Sequence, residues 1–170
     1  MRISTHNLTL SAIFIALGIL IPIIFHAVGL GSMFLPMFLP VAASIFFLPL
    51  SYSICVAVIT PVVSSLLLGM PPISPPIMQI IVAELIALVF VTYWLYYRKT
   101  SNIFVSLGIG VLVSRIVLII WILILVPLFG IPAKAFSIIS LVQGIPGVIL
   151  IVTVVPFFVK RLNFKIREKV

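Results

Sequence analysis

The chain has 170 residues, 64% of them hydrophobic and only 7% charged, with a mean hydropathy of +1.51. A soluble domain of that size has nowhere to hide so much apolar surface, so the composition selects lipid as the solvent. The formal charge of +8 comes from basic residues that flank the apolar runs, a pattern of topology signals and contacts to anionic lipid rather than of nucleic-acid binding.

Backbone groups in hydrocarbon must be paired within the protein, which leaves helices or a closed barrel. The apolar runs are long and do not alternate with polar residues, which excludes the barrel. The expectation is an all-α membrane protein, one integral-membrane domain over residues 1–170 built as a bundle of six transmembrane helices. The first helix is expected at Leu8–Phe25. Its start resembles a signal peptide, but no small-residue cleavage site follows and further apolar runs come after it, so it reads as a retained helix. Ala12 and Ala16 lie one turn apart on it, a small-residue pair suited to close docking of another membrane helix.

The second helix is expected at Phe34–Leu48, short, with Pro36 and Pro40 near its start. The third is expected at Tyr52–Leu68, with a small-residue stripe of Ser53, Ala57, Thr60 and Ser64 that suits helix packing. Cys55 stands alone within an apolar run and reads as a buried thiol, so there is no disulfide framework. The turn Gly69–Pro76 follows, rich in proline and therefore stiff and extended rather than helical. It either joins two helices or acts as a lid over an outward-facing pocket. The fourth helix is expected at Ile77–Tyr97, the fifth at Ile103–Pro127 and the sixth at Phe136–Val159. Tyr93, Trp94, Tyr96 and Tyr97 form an aromatic belt just before Arg98.

Lysine and arginine set the orientation. Arg2, Arg98, Lys99, Lys160, Arg161, Lys165, Arg167 and Lys169 fall on one side of the six spans and Lys134 alone on the other. Both termini are therefore expected to be cytoplasmic.

Glu84 is one of two acidic residues in the chain, the other being Glu168 in the tail. It lies about 10 Å below the outer boundary, at 1.5 Å per residue from Ile77. Arg115 sits near the middle of the fifth helix. Each charge costs about 2.5–3.5 kcal/mol at the bilayer centre, so the two are expected to pair with each other, to contact a bound solute, or both. In the sixth helix, Ser140, Gln143, Gly144 and Gly147 share one side. Gln143 is a candidate hydrogen-bond donor, and Gly147 leaves room for a helix or a flat ligand.

His6 and His26 are lone histidines, with no second ligand at metal spacing, so no metal site is assigned. No cofactor is expected. There is no phosphate-binding loop, and no nucleophile–base pair that would make the chain an enzyme. A bundle with one embedded acid and no inverted repeat reads as a subunit rather than a free-standing carrier. Two readings are carried forward, a solute-binding subunit and a structural or assembly subunit that binds no solute.

Several segments resemble the substrate-binding S components of energy-coupling factor (ECF) transporters of prokaryotes. They are Leu35-Pro36-Met37-Phe38-Leu39-Pro40-Val41, Pro61-Val62-Val63-Ser64-Ser65 with Gly69-Met70-Pro71-Pro72, Glu84-Leu85, Ser114-Arg115, and Gly144-Ile145-Pro146-Gly147 with Pro156. The resemblance implies a multi-pass protein of the plasma membrane that captures a vitamin-like micronutrient outside the cell. It also implies loops around Gly29–Leu35 and Gly69–Pro76 that close the pocket. A transmembrane coupling subunit would dock at Ala12 and Ala16, and two ATPase subunits would supply energy. Glu84, Arg115, Gln143, Phe38, Met70, Pro71 and Gly147 are the candidate solute contacts. Phe38 and Ile151 stand where the family pattern carries histidine and often glutamine, which favours a more apolar or aromatic solute stacked on Phe38.

Overall fold

The computed structural model describes residues 4–74, 76–100, 102–129 and 144–167. The described residues are helical throughout, joined by turns. In chain order the helices are α1 (Thr5–Ala27), α2 (Gly31–Phe34), α3 (Phe38–Ser44), α4 (Leu50–Leu68), α5 (Ile77–Leu95), α6 (Ile103–Phe129) and α7 (Ile145–Arg167). A π-helical turn, Tyr96–Thr100, extends α5. Five helices among the described residues, α1, α4, α5 with its extension, α6 and α7, are long and apolar enough to cross a membrane.

The expected second helix, Phe34–Leu48, is not one element. It is broken at Leu35–Met37 and ends in a turn after Ser44. The cause is local. Leu35 adopts φ 48° and ψ 50°, the left-handed region. Pro36 disfavours helical geometry in the residue before it and has no N–H to give a continuing helix. Pro40 lies in the first turn of α3, where a missing N–H costs nothing. The start of the expected sixth helix, including Phe136, Ser140 and Gln143, lies outside the described residues, and α7 begins at Ile145.

The short α3 is the hub. Phe38, Pro40, Val41, Ala42, Ala43 and Ser44 are all buried, as befits a helix apolar on every side. It packs against α1, α4, α5 and α7, and the same core cluster takes in Phe14 of α1, Val56 and Ala57 of α4, Leu85, Leu88 and Val89 of α5, Leu107 and Val111 of α6, and Ile151, Val155 and Val159 of α7. The hub's polar groups are satisfied locally. Ser44 Oγ donates to the carbonyl of Val41 at 2.6 Å, and Ser53 Oγ to that of Ser44 at 3.4 Å. The outward faces stay apolar, with Leu112, Ile116, Ile120 and Leu123 exposed along α6. That distribution suits hydrocarbon rather than water. Cys55 lies on such a face: it is exposed, not buried. An apolar run in a membrane protein has a lipid side as well as a core side, and Cys55 is on the former.

Two ends of the bundle are chemically distinct. At one end the Ser4 N–H donates to the Tyr52 hydroxyl at 3.3 Å, joining the starts of α1 and α4. The ends of α5 and α7 are also basic there, with Lys99 above the Trp94 ring at 4.8 Å and Lys160 above Phe104 at 4.8 Å. The belt tyrosines pack on one another, Tyr93 tilted against Tyr97 at 4.4 Å and Tyr96 edge-to-face with Tyr97 at 4.9 Å. The other end gathers the C-termini of α1 and α4, the N-termini of α5 and α7, and the break between α2 and α3.

Candidate functional site

A partly open cavity of about 550 Å³ lies at this second end. Three helices contribute same-face pairs four residues apart: Pro22 and His26 from the last turn of α1, Ser64 and Leu68 from the end of α4, Ile77 and Ile81 from the start of α5. Ile23 and Gly31 add to one side, and Leu35, Pro36, Met37 and Phe38 to another. Met70, Pro71 and Pro72 complete the wall. The volume is that of a small-molecule site, generally about 300–1,000 Å³.

The turn after α4 is tied down. Gly69 ends the helix at φ 69°, a conformation glycine takes without steric cost. Ser64 Oγ then donates to the carbonyl of Met70 and Ser65 Oγ to that of Pro71, each at 2.6 Å. The Met78 N–H donates to the carbonyl of Pro72 at 3.1 Å. The turn is therefore non-helical, as its prolines predict, and fastened to both helices it joins. Ser64, expected only as a packing residue, is one of its fasteners.

Glu84 of α5 and Arg115 of α6 form an ion pair. Glu84 is buried and Arg115 nearly so. Neither lies on the cavity wall. The Arg115 guanidinium carbon sits 4.9 Å from the centroid of the Phe38 ring, and Phe38 is itself a residue of the wall, so it links Arg115 to the cavity. The ring is 3% exposed, and its contact with the cation is favourable because the ring face is electron-rich.

Of the candidate contacts, Phe38, Met70 and Pro71 line the cavity, while Glu84 and Arg115 are not among its described lining residues and Arg115 packs on Phe38. Gln143 lies outside the described residues. Gly147 is buried against the chain itself. A Cβ there would come within 2.6 Å of the Phe34 carbonyl carbon, so its missing side chain lets α7 close on α2. Ile151 is fully buried in the core and does not reach the wall. Ala12 and Ala16 are exposed on α1. They form a low notch on a ridge with Leu8, Leu20 and Ile24, all of which are exposed.

Sequence reasoning passed over His26, set aside as a lone interfacial histidine. The signal was its spacing, four residues beyond Pro22 and just ahead of two glycines. A Cβ at Gly31 would overlap the imidazole, so Gly31 makes the space in which the ring lies. Among the described residues no group of three or more potential metal ligands comes together.

A multi-pass helical membrane protein with a solute-sized cavity at one end, and its one buried ion pair among the described residues linked to the cavity wall through Phe38, has the architecture of a membrane binding protein. A family model described as ECF transporter, substrate-specific component, matches residues 6–159, and the chain belongs to that family. This is a family of transporter binding components rather than enzymes, and membership implies association with the coupling component and ATPases of ECF transporters. No curated protein and no solved structure matches the chain.

Proposed function

We propose that the protein captures a small vitamin-like micronutrient at the outer face of a prokaryotic plasma membrane. It then associates with a transmembrane coupling subunit and two ATPase subunits, which energise uptake of the bound solute. Both termini face the cytoplasm in this reading, which the basic ends of α5 and α7 support. The carrying observation is the cavity at the opposite end, walled by a turn that two serines hold in place. Phe38, Met70 and Pro71 contact the solute. The Glu84–Arg115 pair acts through Arg115, holding the Phe38 ring in position. Ala12 and Ala16 receive the coupling subunit, which small side chains allow to approach closely.

The test is mass spectrometry of what co-purifies with the protein, followed by binding of the identified solute. Saturable binding of one micronutrient is expected. An Ala12→Leu/Ala16→Leu protein should bind it normally yet fail to support uptake when co-expressed with the coupling subunit and ATPases. A protein that co-purifies with nothing and binds no candidate micronutrient would instead be an assembly subunit.

A further inference from the structure

The chemistry of the cavity wall narrows the solute class. Resting on the reading of this cavity as the binding site, we infer that the solute is electrically neutral and largely hydrocarbon. It carries one hydrogen-bonding end, which is held by the His26 imidazole at the rim.

Among the described residues no carboxylate, lysine or arginine lines the wall. The ionised pair Glu84 and Arg115 is spent on itself, and neither residue is part of the described wall. A charged solute would give up its hydration and find no counter-charge among these residues, which is strongly unfavourable. Free hydrogen-bonding groups are also scarce among them. Four wall positions, Pro22, Pro36, Pro71 and Pro72, are prolines and offer no N–H. The Phe38 N–H is already given to the carbonyl of Leu35 at 2.9 Å. The Ser64 hydroxyl is given to the Met70 carbonyl.

His26 is different. The residue lines the cavity and is exposed, and its ring makes no hydrogen bond among the described residues. Gly31 provides the space for it, since any side chain there would overlap the imidazole. Neutral imidazole both donates and accepts, so it can take a hydroxyl, an amide or a carbonyl. The remaining wall is aliphatic and aromatic, with Phe38, Met37 and Ile81 offering only dispersion and burial.

Three probes of one shape test this: naphthylmethanol, naphthoate and naphthylmethylammonium, titrated against the full chain in lipid nanodiscs and read by fluorescence against empty nanodiscs. Naphthylmethanol should bind saturably and at least about tenfold more tightly than either ion. His26→Ala should weaken naphthylmethanol about five- to tenfold while leaving unsubstituted naphthalene unchanged, and His26→Asn should recover part of the loss. Equal or tighter binding of either ion would overturn the inference, as would His26→Ala weakening both neutral probes alike or neither. Binding of none of the three would overturn it too. Should a charged micronutrient co-purify and bind saturably, this inference falls and the binding-subunit reading stands. If nothing co-purifies and no probe binds, both fall.

Discussion

At the level of single residues, Glu84 and Arg115 carry the largest energetic consequence. Removing one partner leaves an uncompensated charge in an apolar interior, at a cost of about 3–5 kcal/mol, whereas replacing both with apolar groups is often neutral or better. Glu84→Leu should therefore destabilise the protein by about that amount in a denaturant titration of detergent-solubilised protein. Glu84→Leu/Arg115→Met should recover most of the loss. Because neither residue lies on the cavity wall, solute affinity in the double variant should fall less than about tenfold, or 1.4 kcal/mol. A larger loss, with stability recovered, would place the pair in direct contact with solute. The importance of these two residues was legible in the sequence, because an ionised group in an apolar helix is rare and conspicuous. What the sequence lacked was distance, so pairing stayed open until coordinates brought the two side chains together; solute contact is what the double variant measures. Cys55 and Gly147 were ambiguous for a related reason. Apolarity does not separate a lipid-facing side from a core-facing one, and a missing side chain does not say what fills its space.

Among the elements, the turn after α4 makes the sharpest prediction. Each serine hydrogen bond contributes about 0.5–1.5 kcal/mol net. Ser64→Ala/Ser65→Ala should thus leave overall unfolding within about 3 kcal/mol of the wild type. Amide hydrogen exchange in residues 69–74 should rise markedly, and bound solute should leave faster. Unchanged exchange would mean that the neighbouring helices, not the hydroxyls, hold the turn. The first, third, fourth and fifth helices were legible to within a few residues of their ends, because apolar length is a strong signal. The last was not: expected to stop at Val159, it runs on through Lys160 and Arg161 to Arg167, because a helix can continue past the apolar boundary that charges mark. The second helix was not either, since Phe34–Leu48 is apolar throughout and composition alone reads as continuous. The left-handed Leu35 ahead of Pro36 decides it, and that is backbone geometry rather than hydrophobicity. His26 was missed because its only signal, the spacing from Pro22 and the glycines that follow, is weak by itself; the packing of Gly31 against the imidazole is what brings it to the cavity.

For the whole molecule, orientation in the membrane decides which side the cavity serves, and the single cysteine makes it measurable. With Cys55→Ala as background, Ile73→Cys should react with a membrane-impermeant maleimide on intact cells. Asn102→Cys, in the turn before α6, should react only after the membrane is opened. The reverse pattern would place the cavity on the cytoplasmic side and end the capture reading.

The interruption at Leu35–Met37 carries a wider consequence. The hollow exists because one of the central segments stops short: its absent turns are the room a guest occupies. Receptor capacity here is a matter of chain punctuation before it is one of side chains. Restoring helix through Leu35→Ala/Pro36→Ala would convert a container into a filled rod bundle, with the wall residues of α1, α4 and α5 still present.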